Sequence, residues 1–371
     1  MELAGIDQCT GCGACASVCA KGCIKMEKDH NGFFYPKVNI EHCVDCGLCT
    51  KSCHIIFSPG IQNFEKEYFC GWDKSINKRF EGSSGGVFGA IAEYIIAKDG
   101  VVYEAAFSSD YKTLAHKSTD YVSIEDLKKS KYLESYMGNT ISQIRKDLKD
   151  GKHVLFCGTP CQAYGVRKAF GCKFNNLIIC DFLCHGVPSQ ARYQLYLKEL
   201  EDRYNAPVKK VGFRTKRYGW KTYCVVIEFE NGHEYVKLAN EDPYYRHFFS
   251  NTNIRPSCYN CDRVANSVAD ITLGDFWGAR KLGIRDDDKG TSLVICNTKL
   301  GKEIVDKISC LSLFKIKASD VAYVYESHNY AKRSTPRQQP FFENFKLSMK
   351  DKIVCALLKN SFTRTLIYRI I

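Results

Sequence analysis

The residues in this chain whose types and spacing could do chemistry are cysteines. There are 21 of them, and nine fall in the first 58 residues. Two runs share one pattern, C-x2-C-x2-C-x3-C: Cys9-Thr-Gly-Cys12-Gly-Ala-Cys15-Ala-Ser-Val-Cys19 and Cys43-Val-Asp-Cys46-Gly-Leu-Cys49-Thr-Lys-Ser-Cys53. Three thiolates at i, i+3 and i+6 on a tight loop can reach three corners of one 4Fe-4S cube, and Gly11, Gly13 and Gly47 let the backbone turn and aim amides at sulfur. The fourth Cys of each run crosses over, so Cys19 serves the second cube and Cys53 the first, and the two cubes come as a locked pair. The rival chemistry, a zinc site, normally takes two paired C-x-x-C units. The Pro that usually follows the fourth Cys is Ala20 in one run and His54 in the other, which changes a turn and removes no ligand. Cys23 is read as a packing residue near the first cube.

Twelve Cys lie outside that segment, four of them in distinctive settings. Cys161 stands in Gly158-Thr-Pro-Cys-Gln162, Cys184 in Asp181-Phe-Leu-Cys-His-Gly-Val-Pro188, and Cys258 and Cys261 close a C-x-x-C loop after Arg255-Pro-Ser. Cys161 and Cys184 follow the C-terminal ends of expected strands, where open α/β sheets place their ligands. Four thiolates converging from three loops would make a third closed metal site, a 4Fe-4S cluster or a tetrahedral zinc. Cys70, Cys157, Cys172, Cys180, Cys224, Cys296, Cys310 and Cys355 read as core residues.

These sites need elements to hold them. At 371 residues the chain has room for two or three domains, and its ordinary globular composition excludes a disordered tail or a disulfide mini-protein. Ser58-Pro59-Gly60 marks a boundary. Beyond it, strands are expected at 68–72, 101–107, 153–157, 177–181, 208–214, 223–230 and 233–237, the last two joined by Asn231-Gly232 as a hairpin. Helices are expected at 85–97, 140–149, 162–170 and 189–204. This alternation predicts an α/β layer structure. Gly82-Ser83-Ser84-Gly85-Gly86 opens the first of these helices, so hydroxyls, amides and the helix dipole face one spot suited to a pyrophosphate or the polar edge of a flavin ring; a plain Ser N-cap is the alternative.

Taken in order, Glu81-Gly-Ser-Ser-Gly-Gly-Val87, Lys131-Tyr132, Gly158-Thr-Pro-Cys-Gln162, Cys184-His-Gly-Val-Pro188, Cys258-Tyr-Asn-Cys261 and Ala269-Asp-Ile-Thr-Leu-Gly-Asp-Phe-Trp-Gly278 resemble a known family. It comprises the beta subunits of coenzyme F420-reducing hydrogenase and the related dehydrogenases, with 7-hydroxymethyl chlorophyll a reductase as a plant relative. The resemblance covers residues 66–315 and, as in many members, follows a ferredoxin-type segment. It implies a two-cluster ferredoxin fold at 1–58 and an α/β flavin-binding domain in two parts, 66–150 and 151–315, then a basic tail at 320–371. It further implies that Cys161, Cys184, Cys258 and Cys261 hold a third 4Fe-4S cluster beside a bound FAD, with Ser83, Ser84, Gly85, Gly86, Lys131 and Tyr132 at the flavin. His185 is assigned a hydrogen bond near that cluster.

The function expected is an oxidoreductase moving electrons between FAD, three 4Fe-4S clusters and a deazaflavin or similar two-electron substrate. The rivals are a ferredoxin-driven reductase of a small molecule and a non-catalytic electron-transfer subunit. A redox partner protein, either a ferredoxin or a subunit of a larger complex, is expected, and nucleic acid is not. The start lacks a secretory pattern, and the longest mostly apolar run, Val87 to Ala97, contains Glu93 and falls short of a membrane span, so a cytoplasmic protein with reduced thiols is expected. Of the net charge of +12, more than half sits in residues 332–371, where nine Lys/Arg face Glu343 and Asp351. The tail from Phe341 is expected to dock on its own domain as a helix, rather than to lie on a membrane surface.

Overall fold

We describe the protein from a computed structural model, which covers residues 2–60, 64–252, 254–284 and 286–322. The basic tail after 322 lies outside the described residues.

The N-terminal segment is mostly loop. Helices α1 (Ala14–Ser17) and α2 (Leu48–Ser52) each begin directly after a left-handed glycine, Gly13 at φ 73° and Gly47 at φ 69°, a conformation that a Cβ disfavours. Strands β1 (Ile24–Lys28) and β2 (Phe34–Val38) pair antiparallel with Ile24 opposite Val38. The buried apolar residues described here are Ala14, Cys23, Ile24, Phe33 and Cys49, a small core for so many residues.

Beyond it come β3 (Glu67–Asp73), α3 (Ile76–Glu81), α4 (Val87–Ile96), β4 (Val101–Phe107), β5 (Leu114–Ser118), α5 (Ile124–Leu127), α6 (Thr140–Lys149), β6 (Val154–Gly158), α7 (Pro160–Phe170), β7 (Leu177–Phe182) and α8 (Gln190–Tyr204). The chain continues through β8 (Val208–Thr215), β9 (Cys224–Phe229), β10 (Glu234–Leu238), α9 (Pro243–Phe249), β11 (Ile271–Asp275), β12 (Ser292–Cys296), α10 (Lys299–Asp306) and β13 (Leu311–Ile316). Every strand and helix read from periodicity has a counterpart within two residues at each end. Beyond residue 66, four strands, β5, β11, β12 and β13, were not expected. In β11 the run Ile271-Thr-Leu-Gly-Asp275 carries Gly and Asp, which strands avoid, and tertiary pairing overrides that preference.

One mixed sheet runs in the order β13-β3-β12-β11-β7-β6-β4-β5, and β8, β9 and β10 form a second, antiparallel sheet. Strands β4, β6, β7 and β11 are parallel neighbours. Helices cover both faces of the large sheet. Val154 and Phe156 of β6 pack with Ile141 and Ile144 of α6 and Val166 of α7, whereas Leu155 and Cys157 face the side of α4, with Ile91 and Ile95. This is the period-two division of a strand buried on both faces. The parts 66–150 and 151–315 share this sheet, since β4 hydrogen-bonds to β6. Because β12 runs antiparallel to both β11 and β3, the C-terminal ends of β3, β11, β7 and β6 and the start of β12 share one edge. No helix among the described residues is long and apolar enough to cross a membrane.

Candidate iron–sulfur and flavin sites

Along that edge the loops bring together residues far apart in sequence. Thr159 precedes α7, whose first residue is Pro160, a position where a missing N–H costs nothing. Its hydroxyl lies 3.1 Å from Cys161 Sγ and donates to Gln162 Oε1 at 3.0 Å. Gln162 Nε2 donates to Ser135 Oγ, which pairs with His116 Nδ1 at 3.1 Å, and His116 Nε2 meets the Cys157 carbonyl. Cys161 is therefore held by a chain of buried polar groups that continues beneath the sheet edge. Burial pushes the His116 imidazole down to about 4, so the ring is neutral at physiological pH.

The four thiols of the third set come together. Cys184 lies close enough to Cys258, Cys161 and Cys261 for their charges to repel, and Cys258 stands in the same relation to Cys161 and Cys261. Burial pushes Cys161 up to about 11 and Cys258 to about 12. These are neutral thiols that would release protons on taking a metal. A tetrahedral zinc draws four sulfurs to about 2.3 Å from one centre, whereas a cube takes each thiolate at a separate iron. His185, next to Cys184, packs its ring against Phe248 and Phe249 at centroid distances of 4.9 and 5.9 Å.

The N-terminal runs show the crossover that their spacing requires. Cys53 repels Cys9 and Cys15, and Cys12 neighbours Cys15 and Cys9. In the other group Cys19 accepts the Cys23 amide at 3.3 Å. Cys23 is buried, donates its S–H to the His42 carbonyl at 3.0 Å and neighbours Cys19 and Cys43. It therefore sits beside the second group, a correction to the expected place near the first, because the crossing of Cys19 carries it there. Cys49 is buried in α2 and Cys46 is exposed.

The first group lies directly against the third. Cys12 repels Cys161, and a Cβ added to Gly165 of α7 would stand 3.1 Å from Cys12 Sγ. Arg255, 1% exposed, joins them: its Nε donates to the Cys9 carbonyl at 2.8 Å, its Nη2 to the Phe34 carbonyl at 2.9 Å, and its Nη1 pairs with the buried carboxylate of Glu134. The guanidinium lies 4.2 Å from the Tyr35 ring. Burial raises Glu134 to about 7 against the pull of Arg255. Arg255 adjoins a recognised motif but carried no sequence signal of its own.

The Gly82–Gly86 loop lies at the other end of the edge. Ser83 Oγ accepts the Ser130 amide at 2.7 Å, Ser84 Oγ donates to the Thr291 carbonyl at 3.0 Å, and the Gly85 amide donates to Ser292 Oγ at 2.8 Å. The two hydroxyls and the Gly85 amide thus anchor the loop to its neighbours; they are not left open together, because docking on Ser130 and on the start of β12 consumes them. Gly86, at φ 85°, starts α4, whose first-turn amides have no intrahelical partner. A Cβ at Gly85 would stand 2.4 Å from the Gly71 carbonyl oxygen, so this approach demands glycine. Lys131 points its Nζ at the carbonyls of Leu127, Lys128 and Lys129, and burial lowers it to about 8.

Between the loop and the third Cys set stand residues that motif reading missed. Lys216 Nζ ties the loop down through the carbonyls of Arg79, Ser84 and Lys289, and burial pulls it down to about 7. Arg214 Nη1 donates to Asp275 Oδ2 at 2.5 Å and to the Tyr132 hydroxyl at 3.5 Å. Arg214 occupies a bulge, where Gly212 and Thr215 of β8 pair with Val226 and Cys224 of β9, and its φ is 50°. A non-glycine residue held there stores about 1–3 kcal/mol of strain. A β-bulge leaves no periodic trace in sequence.

Residues 151–320 match the family model that describes the C terminus of the coenzyme F420 hydrogenase/dehydrogenase beta subunit, and residues 8–55 match the 4Fe-4S dicluster domain. Over 47 residues, 13% of the chain, the sequence is 40% identical to an uncharacterized ferredoxin of Methanocaldococcus jannaschii, and the match spans 60% of that relative's length. Among solved structures, the F420-reducing NiFe hydrogenase complex of Methanosarcina barkeri contains a chain that aligns at a TM-score of 0.49 and 18% identity, covering 72% of the present chain and 88% of its own. The chain thus joins a 4Fe-4S dicluster domain to the C-terminal module found in beta subunits of the coenzyme F420 hydrogenases and dehydrogenases.

Proposed function

We propose that this chain is an iron–sulfur flavoprotein that passes electrons between a two-electron organic carrier of the deazaflavin class and a protein redox partner. It would do so through FAD and three 4Fe-4S clusters. The observation that carries the reading is adjacency: Lys216 ties down the Gly82–Gly86 loop beside Arg214, and Cys12 of the first N-terminal set lies against Cys161 of the third set. When bound, FAD supplies the conversion between paired and single electrons, and the clusters carry the single ones.

The chain's own residues hold, orient and shield. The first turn of α4, entered from Gly86, is suited to a pyrophosphate; Lys216 and β12 fix the loop before it; Tyr132 and Asp275 flank the way to the third set. Thr159 and Gln162 orient Cys161, while Arg255 locks the first set against it. Near the second set Cys46 is exposed, and Ile40, Val44 and Leu48 present 80%, 62% and 46% of their surface, an apolar patch suited to docking a protein that exchanges electrons there. Lys131, bound to three carbonyls, would act on the flavin chiefly as a fixed positive charge.

Anaerobically purified protein should contain about twelve iron atoms per chain, and denaturation should release non-covalent FAD. Cys161→Ser or Cys258→Ser should remove roughly one third of the iron. Iron near two thirds of that value with zinc in its place would overturn the third cluster, and full iron with no flavin retained or bound would reduce the protein to an electron carrier. Anaerobic mixing should bleach the flavin with reduced deazaflavin; bleaching by reduced ferredoxin alone would make the protein a ferredoxin-driven reductase.

A further inference from the structure

Four buried polar atoms without hydrogen-bond partners lie close together in the body. Arg214 Nε and Nη2, Trp220 Nε1 and Thr291 Oγ1 are all buried and make no hydrogen bond. They belong to one neighbourhood. Asp275, which holds Arg214 Nη1, is followed by Phe276, whose amide donates to the Thr291 carbonyl at 2.8 Å, and by Trp277, whose ring stacks on Trp220 at 4.0 Å and 12°. The Arg214 guanidinium lies 4.4 Å from the Tyr223 ring and 5.7 Å from Trp277. Its side chain is 9% exposed. Buried donors are rarely left unpaired, and this guanidinium edge calls for acceptors that the protein itself does not supply.

Nε and Nη2 form one edge of the guanidinium, a coplanar donor pair that matches two acceptors side by side. The opposite corner, Nη1, is already fixed by Asp275 and Tyr132. The bulge and the left-handed backbone of Arg214 re-aim this side chain out of the strand's alternation. Its surroundings are aromatic, and Asp275 offsets its charge, so it suits a planar, weakly charged edge rather than a phosphate. The loop opening α4 is the better phosphate site.

We infer that the Nε–Nη2 edge of Arg214 recognises the N1–C2=O edge of the flavin ring. This rests on the flavin reading above. When the oxidised ring takes up two electrons and one proton at N5, the remaining negative charge spreads over N1 and the C2 oxygen, where the guanidinium faces it. Arg214 therefore binds the reduced ring more tightly than the oxidised one, and raises the flavin potential.

The test is FAD binding and potential in the full-length, iron-replete protein. Apoprotein is titrated with FAD by fluorescence quenching and with ADP, which lacks the ring, by competition; the potential of bound flavin is then measured. Two variants are compared with wild type, Arg214→Lys and the charge-balanced pair Arg214→Gln with Asp275→Asn. Both should retain iron and ADP affinity. The paired variant should lose about tenfold more affinity for reduced than for oxidised FAD, a fall in potential of about 30 mV for a two-electron couple. Arg214→Lys, which keeps the charge but loses the fork, should bind FAD more weakly with a smaller fall. Unchanged FAD affinity and potential in both variants would overturn the assignment, as would an equal loss of ADP affinity, which would place Arg214 at a phosphate. Wild-type protein that binds no FAD at all would instead defeat the flavin reading itself.

Discussion

The N-terminal segment and the α/β body place their cysteines by opposite means. In residues 2–60 the runs are local, two left-handed glycines turn the loops, and few apolar residues are buried. In the body, Cys161, Cys184, Cys258 and Cys261 stand on three loops separated by up to a hundred residues, and an eight-stranded sheet with helices on both faces aligns them. A segment with so small a core depends on what it binds and on what it docks against, whereas the body owes its geometry to packing. The same thiol chemistry can therefore rest on metal-dependent folding in one region and on a preformed scaffold in the other.

Removing iron is the sharpest way to test that contrast. Chelation under anaerobic conditions should release the N-terminal segment from order while the sheet persists, seen as rapid amide exchange confined to residues 2–60 with β6 and β7 still protected. Uniform protection throughout would break the contrast.

Separating the two regions electrostatically should cost less. Arg255→Met leaves the buried Glu134 carboxylate without its partner, and loss of a buried pair's cation costs about 3–5 kcal/mol; urea unfolding of the holoprotein should report it. Because Arg255 also holds the Cys9 carbonyl, the variant should lose N-terminal iron before third-site iron. The double change Arg255→Met with Glu134→Gln should recover much of the stability, since it leaves no orphaned charge.

The smallest effect expected concerns pH and the body alone. Burial depresses His116 to about 4, so the unfolded chain takes up a proton at higher pH than the folded one. The stability it contributes is complete above about 6.5, the ordinary histidine value, and is lost as pH falls toward 4, up to about 3 kcal/mol. Unfolding midpoints measured between pH 7 and pH 4.5 should fall less in His116→Asn than in wild type. An equal fall in both would remove His116 from the account.

Much of the scaffold was legible because strands and helices around the parallel strands announce themselves by local periodicity, as with Thr140–Lys149, which begins and ends where its pattern does. The later strands were not: β11 carries Gly and Asp, and its pairing with β7 on one side and β12 on the other is a property of the sheet. At the Gly82–Gly86 loop the glycines were visible, but the docking of Ser84 and Gly85 at the start of β12, more than two hundred residues away, was not.

The sequence by itself determined what a few bonds of chain can enforce. Cysteines three residues apart on glycine turns lie within reach of one cube, and a glycine-rich stretch before an apolar run opens a helix, because both depend on backbone geometry over less than two turns. Tertiary structure alone decided that Cys12 adjoins Cys161, that Arg255 clasps the segment to the body, and that Arg214 pairs one corner with Asp275 while its Nε–Nη2 edge stays unpartnered. Those relations follow from strand order, helix packing and one bulged register, which only long-range pairing sets.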